Sequence, residues 1–169
     1  EGGEILRVRN GEPTGVFVDN AMWLVGRHVP DQTPEQVEEA LAAAADRCLS
    51  AGLTGIHDAG VSPGELSAYR TLIDRGRLNV RIYGMLDNPG EGDIAGYLRE
   101  NRVEGYGGHF LPVRSVTLLI DGALGSRGAA LFTDYSDRTG YTGLLTLTPE
   151  HVLAVSRAAA LGAETVFLP

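Results

Sequence analysis

Three side chains with complementary chemistry lie close together in the second half of the chain: Asp121, Ser126 and Arg127. Glycines separate them, namely Gly122, Gly125 and Gly128. The planar guanidinium of an arginine can hold a carboxylate through two hydrogen bonds, so the group is a candidate for binding a polar substrate. The structural alternative is that Arg127 pairs with a nearby acid, either Asp134 or Asp137. The residues alone leave both interpretations open.

The residues before this loop predict a β-strand, which would hold the loop at the edge of a sheet. Val116–Ile120 is a short, mostly apolar run, which is typical of a strand buried on both faces in a parallel sheet. Such sheets collect substrate-binding groups at the carboxyl ends of their strands, and Asp121 follows this run directly. The simpler interpretation is a strand that ends in a mobile turn.

His57 and Asp58 form a second candidate pair. His57 is the last residue of the predicted strand Leu53–His57, and Asp58 follows it directly. Neighbouring strand residues point to opposite faces, so these two cannot form a catalytic dyad by adjacency. We expect them to support the site or the packing rather than to react. The sequence has no His-x-His, no H-E-x-x-H and no pair of cysteines, so it offers no metal-ligand motif.

Helices and strands alternate along the chain. Three Ser/Thr-Pro entries predict helix starts, at Thr33-Pro34, Ser62-Pro63 and Thr148-Pro149. Strands are predicted between the helices, at Leu53–His57, Val80–Leu86, Val116–Ile120 and Thr165–Leu168. Alternation of this kind implies an α/β fold with parallel strands and right-handed crossovers. The architecture is then either a doubly wound sheet or part of a (β/α)₈ barrel, which usually takes about 250 residues.

Three details complete the predicted elements. Asp93–Asn101 is a short helix candidate, and the glycine-rich segment Glu104–Gly108 is predicted as loop. Trp23 is predicted to be a packing residue.

Charge and composition limit the partners. The net charge is -8, which argues against nucleic acid or an anionic membrane as a partner. All 14 basic residues are arginine. The chain therefore has no lysine that could bind phosphate in a P-loop, form a Schiff base or, once carboxylated, bridge two metal ions. The single Cys48 cannot form an internal disulfide, which predicts a reducing, cytoplasmic location.

The residues also resemble a known family. The segment Asp121–Leu131, DGALGSRGAAL, followed by Tyr135–Asp137, YSD, is similar to a signature of the N-substituted-formamide-deformylase-like branch of the amidohydrolase superfamily. Three further segments resemble that branch in the same order along the chain: Glu1–Asn20, Ala51–Gly60 and Arg81–Asp87.

The resemblance implies a partial (β/α)₈ TIM barrel of the metal-dependent hydrolase type. It implies a parent protein that hydrolyses amide-type C–N bonds of small molecules with metal-activated water, with zinc as the expected divalent metal. It places Thr117 where the family commonly has a metal-bridging lysine, and Leu168 near the position of a later histidine. A threonine hydroxyl cannot become a carbamate ligand, so no metal ligand is assigned and no tight metal binding is expected.

We therefore expect one domain over residues 1–169, with a lead-in at 1–32 and βα units at 33–169, as the middle fragment of such a barrel. Asp121, Ser126 and Arg127 are predicted to contact substrate, and His57, Asp58 and Thr117 to play supporting roles. The chain alone is expected to be inactive. The alternative is a non-catalytic remnant or pseudoenzyme that self-associates through exposed sheet edges. A weaker alternative is a nucleotide-binding domain, although a G-x-G-x-x-G fingerprint is absent.

Overall fold

The computed structural model describes residues 3–162 and 165–167. The chain divides into two compact units, one formed by residues 1–31 and 119–152 and the other by residues 32–118 and 153–169. The expectation of a single domain with a lead-in at 1–32 stays a prediction.

Helices and strands alternate as predicted from the sequence. The strands are β1 (Gly3–Arg7), β2 (Pro13–Asp19), β3 (Gly55–Val61), β4 (Arg81–Leu86), β5 (Val103–Gly105), β6 (Leu111–Thr117) and β7 (Thr165–Phe167). The helices are α1 (Trp23–Gly26), α2 (Pro34–Ser50), α3 (Pro63–Asp74), α4 (Ile94–Asn101), α5 (Tyr106–His109) and α6 (Pro149–Leu161). None of the helices in the described part of the chain has the length and apolar character needed to span a membrane.

The larger unit holds a sheet with the parallel order β3-β4-β6-β7, and β5 pairs with β6 in the antiparallel sense. Sequential parallel strands lie side by side without any reversal of order. A doubly wound sheet has such a reversal, and its ligand lies there, whereas barrel strands follow one another around the axis. The topology therefore matches a segment of a barrel, open at β3 among the described strands.

Local capping explains where the helices of this unit begin. The Thr33 hydroxyl accepts a hydrogen bond from the Gln36 amide, while the Gln36 side chain accepts one from the Thr33 amide. Ser62 and Glu65 form the same reciprocal box at α3. Each box satisfies two backbone donors that a helix start leaves unpaired, which is worth about 1 kcal/mol per cap.

The core of this unit lies between its sheet and its helices. Its side chains are apolar and have no more than 1% of their surface exposed, as in Val61, Leu66, Leu72, Val80, Ile82, Leu86, Leu111, Val113, Val116 and Leu118. Burial of each such side chain contributes roughly 1.5–3 kcal/mol, before the entropy cost of ordering it.

Several predicted boundaries are wrong. The strand predicted at Val116–Ile120 is β6, which pairs over Leu111–Thr117, and Leu119 is 64% exposed. The strand predicted to end at His57 is β3, which continues to Val61 through a register shift between Ala59 and Val61. A β-bulge of this kind lets a strand accommodate one extra residue, here Gly60, which has a positive φ.

Two other details also differ. The predicted loop Glu104–Gly108 contains the end of β5 and the start of α5, which is a single turn with Gly107 and Gly108 in the left-handed conformation. Trp23 is 63% exposed and lies under the Arg27 guanidinium at 5.1 Å, so it is not a buried packing residue. The helix candidate Asp93–Asn101 is confirmed as α4, with Asp93 as its N-cap.

The smaller unit joins an antiparallel hairpin, β1 with β2, to the segment 119–148. Glu4 of β1 accepts hydrogen bonds at 2.8 Å from both terminal nitrogens of Arg138. The Arg138 guanidinium also lies 3.9 Å from the centre of the Tyr141 ring. The ion pair joins the long segment to the hairpin, and the ring contact within the segment holds the guanidinium in place.

Candidate functional site

The glycine-rich loop after Ile120 is a closed turn. The Gly122 amide donates to the Gly128 carbonyl at 3.2 Å, and the Gly128 amide donates to the Ala123 carbonyl at 2.9 Å. Arg127 takes the left-handed conformation, with a φ of 63°, at the end of a 3₁₀ turn over Leu124–Ser126. The loop is therefore held by its own backbone, and Arg127 is presented in a conformation that a non-glycine residue adopts at some cost.

Two of the predicted substrate-binding side chains already have partners inside the loop. Asp121 Oδ2 accepts from the Ala130 amide at 2.9 Å. Ser126 Oγ donates to the Ala123 carbonyl at 3.0 Å. Both hydrogen bonds join a side chain to backbone nearby in the sequence. Asp121 and Ser126 therefore stabilise the conformation of the loop.

Arg127 pairs with Asp137, which is one of the two acids that the sequence suggested. Its Nε donates to both carboxylate oxygens at 3.0 and 3.1 Å, and its Nη2 donates to Oδ2 at 2.6 Å. The hydrogen bonds from Arg127 hold the pKa of Asp137 below its usual value. Within the described residues, Nη1 of Arg127 has no hydrogen-bond partner. The guanidinium is thus oriented by Asp137 and keeps one terminal nitrogen available.

Asp134, the other suggested acid, has a different role. Its Oδ2 accepts from the Gly140 amide at 2.6 Å, which closes the turn that follows Asp137. The ion pair with Arg127 and this turn together order the segment that carries Asp137.

Sequence reasoning missed Asp19, which lies against the same loop. Its φ of 51° and ψ of -127° are unusual for a residue other than glycine. A Cβ atom added to Gly122 or Gly128 would collide with the Asp19 carboxylate, so the loop packs directly on it. Asp19 Oδ2 is buried without a hydrogen-bond partner among the described residues. Such a strained, unsatisfied carboxylate is often functional, and the sequence carried a signal for it, since Asp19 is the acidic residue that ends β2.

The second predicted pair, His57 and Asp58, lies in β3 of the larger unit. Asp58 Oδ2 accepts from the Tyr69 hydroxyl at 2.7 Å, so it faces α3. Burial of Tyr69, together with this bond, raises the pKa of its phenol. The His57 ring lies 5.0 Å from the Tyr83 ring, on the other face of the sheet. As expected from strand geometry, the two residues point apart.

Thr117 is buried, with 4% of its surface exposed, and its hydroxyl donates to the sulfur of Met85 at 3.5 Å. A neutral hydroxyl bonded to a thioether is not a donor set for a divalent metal. Over the described residues 3–162 and 165–167, no group of three His, Cys, Asp or Glu side chains is placed to hold a metal. The residues present do not fit a metal site, so we derive no step through one. Leu168 lies outside the described residues.

Known proteins are similar to this chain over most of its length. A family model described as "Amidohydrolase family" matches residues 1–165. YtcJ of Bacillus subtilis (strain 168), whose name assigns it to the amidohydrolases, is 32% identical over 149 residues, which are 85% of this chain and 27% of that protein. The protein LONG AFTER FAR-RED 3 of Arabidopsis thaliana is 30% identical over 169 residues, or 94% of this chain and 28% of that protein. The chain spans little more than a quarter of these relatives.

Two solved structures share the fold. An uncharacterized metal-dependent hydrolase from Pyrococcus horikoshii OT3 superimposes with a TM-score of 0.73 at 21% identity, over 97% of this chain and 34% of that one. The corresponding protein from Pyrococcus furiosus gives 0.74 at 20% identity, over 97% and 35%. The family match over almost the whole length shows that this chain belongs to the amidohydrolase family.

Proposed function

We propose that this chain is a substrate-binding segment of a metal-dependent hydrolase that cleaves amide-type C–N bonds of small molecules. The family match over residues 1–165 carries the proposal, since it includes the whole loop from Asp121 to Gly128. We further propose the N-substituted-formamide-deformylase-like branch, supported by the DGALGSRGAAL segment, and zinc as the metal of the complete protein.

In this proposal Arg127 binds a substrate carboxylate or carbonyl through Nη1. Asp137 already occupies Nε and Nη2, so it fixes the plane of the guanidinium before substrate arrives. Asp121 and Ser126 contribute by holding the loop through their bonds to Ala130 and Ala123. Pre-ordering of this kind lowers the entropy cost of binding.

The binding role of Arg127 has a direct test. The chain, labelled with ¹⁵N, is titrated with N-formylglycine, which carries both an N-substituted formamide and a carboxylate, and the amide signals of residues 122–130 are followed. We expect saturable shifts that Arg127→Gln removes and that Asp137→Asn weakens, because a neutral amide no longer fixes the plane of the guanidinium. The exposed Arg157 on α6 provides the control, Arg157→Gln, which should leave the shifts unchanged. Equal shifts in Arg127→Gln and the unaltered chain would refute the role.

The proposed inactivity of the isolated chain is tested by metal analysis and turnover. The chain is purified with zinc, dialysed and assayed against a panel of N-substituted formamides and other amides. We expect no stoichiometric zinc and no turnover. One zinc per chain with hydrolysis that a chelator abolishes would contradict this expectation. Reading the coding sequence on both sides for a His-x-His and later His and Asp residues would test the class of the complete protein independently.

The second candidate function is self-association without catalysis. Large apolar side chains of the segment 119–148 are exposed, with Phe132 fully exposed and Leu124 at 65%. Among the described strands, β3 pairs only on one side, with β4. Exposed apolar residues and a free strand edge favour pairing between chains. A monomer by light scattering, with no binding of a dye for exposed apolar surface, would count against this function.

We also propose a cytoplasmic location and a single folding domain. The location is supported by the lone Cys48, which has no partner for an internal disulfide. Coincident urea transitions by tryptophan fluorescence and by far-ultraviolet circular dichroism would support one cooperative domain. Separate transitions would refute it.

A further inference from the structure

A cavity of about 240 Å³ lies at the amino-terminal halves of β3 and β4, in the larger unit. Four of its lining side chains can donate hydrogen bonds, namely His57, Arg81, Tyr83 and His109, and none of the described residues that line it is acidic. The family reaction does not account for this cavity, because parallel-sheet enzymes place their chemistry at the opposite, carboxyl ends of the strands.

Strand register brings two of these residues side by side. His57 pairs with Tyr83 across β3 and β4, and their rings lie 5.0 Å apart. Arg81 lies two residues before Tyr83, so its side chain leaves the same face of β4. Within the described part of the chain, no residue forms a hydrogen bond or an ion pair with the side chains of His57, Arg81, Tyr83 or His109. The described residues therefore leave the hydrogen-bonding capacity of the cavity unused.

The fourth donor is held there by a strained turn. His109 has a φ of 70°, in the left-handed region that glycine favours, and it follows two left-handed glycines, Gly107 and Gly108. A Cβ on Gly105 would collide with the His109 ring, so that glycine makes room for the imidazole. His109 is exposed, and burial therefore does not explain its strained backbone. Strain of this kind at a non-glycine residue is concentrated at functional sites.

The turn is fixed from both sides. The Tyr106 hydroxyl lies 2.8 and 2.9 Å from the two oxygens of the Asp74 carboxylate on α3. The Phe110 carbonyl accepts from the Ile82 amide of β4 at 2.8 Å. His109 lies between these two anchors, so its position relative to Arg81 is built into the fold.

From these contacts we infer that the cavity binds a small phosphate-type anion. A permanently charged guanidinium, two imidazoles that can present N–H groups and a phenol make up a donor set without a competing carboxylate. The guanidinium disfavours a metal cation in the same space, and two histidines alone are too few ligands for a structural metal site. The volume is below the usual range of about 300–1,000 Å³ for pockets that hold drug-sized ligands, so a small anion fits best.

Isothermal titration of the full chain with inorganic phosphate in low-chloride buffer tests the inference. We expect one saturable site, weakened at least tenfold by Arg81→Gln and by His109→Gly. The second variant relieves a left-handed backbone, so it keeps the fold while removing a donor. Arg157→Gln, which changes an exposed arginine away from the cavity, should bind phosphate like the unaltered chain.

Three results would overturn the inference. The first is the absence of saturable heat with phosphate. The second is equal weakening by Arg157→Gln, which would indicate nonspecific attraction. The third is stoichiometric binding of zinc that depends on His109, which would identify the cavity as a metal site instead. Circular dichroism confirms that each variant is folded. Loss of phosphate binding leaves the proposed amide hydrolysis untouched, because that proposal rests on the loop at Arg127.

Discussion

Replacement of Gly128 by alanine is the sharpest test of the packing between the glycine loop and Asp19. Gly128 is buried, and an added Cβ would collide with the Asp19 carboxylate and lie 2.9 Å from the Gly122 Cα, where ordinary contacts are 3.4–4 Å. One neighbour is the short Asp19 side chain, whose Oδ2 is buried, and the other is backbone, so neither can move aside cheaply. Overpacking of this kind costs about 1–3 kcal/mol.

Urea unfolding measures this cost. The chain has one tryptophan, Trp23, which belongs to the same compact unit as the loop and therefore reports on it. With a urea dependence of about 2 kcal/mol per molar, a loss of about 2 kcal/mol lowers the midpoint by about 1 M. The matched control is Gly125→Ala, where a Cβ meets nothing within 4 Å, and which should gain up to about 1 kcal/mol.

A double variant separates the two contacts. Asp19→Gly combined with Gly128→Ala should recover part of the loss, because the carboxylate is gone while the Gly122 backbone remains. If Gly128→Ala and Gly125→Ala have the same midpoint, the close packing on Asp19 is refuted. In that case the unpartnered Asp19 carboxylate loses its significance as well.

Two further substitutions test one contact in each compact unit, the Glu4–Arg138 ion pair in the smaller unit and the Tyr69–Asp58 hydrogen bond in the larger one. Glu4→Gln should cost about 0.5 kcal/mol at pH 7, a small value because the pair with Arg138 is partly exposed. Hydrogen bonds from Arg138 lower the pKa of Glu4, so its contribution is present above the unfolded-state pKa and is lost as pH falls through the folded-state pKa. The two chains should therefore converge in stability at acid pH, and a constant gap would contradict the ion pair. Tyr69→Phe should cost about 1–2 kcal/mol by thermal unfolding, since it leaves the half-buried Asp58 carboxylate without its donor. Tyr97→Phe, whose hydroxyl has no partner among the described residues, is the control, and equal losses would refute that reasoning.

The sequence was most informative where the interactions are local. The starts of α2 and α3 follow from Thr33 and Ser62, because a capping box joins residues only three positions apart. The α/β class also follows from local patterns, because stretches with helical periodicity alternate along the chain with apolar strand-like runs. Strand limits were predicted less well. Leu118 is fully buried although it lies beyond the paired part of β6, whereas Leu119 is 64% exposed, so the apolar run marks neither the end of pairing nor the end of burial.

Long-range packing accounts for the residues that the sequence did not indicate. Asp19 lies far from Gly122 and Gly128 along the chain, and only the folded hairpin brings its carboxylate onto them. The sequence does not single out His109, because its left-handed turn depends on Tyr106 meeting Asp74 and not on neighbouring residues alone. A pattern within a window of a few residues contains neither contact.

The pairing of Arg127 limits what its loop can do in catalysis. Nε and Nη2 are held by Asp137, so a ligand meets a single terminal nitrogen instead of the two-nitrogen fork expected from the sequence. A single charge-assisted hydrogen bond is worth about 1.5–3 kcal/mol, which is too little to select one amide among many. In the binding role that we propose, the loop orients the polar end of a substrate, and specificity requires additional groups around the scissile bond.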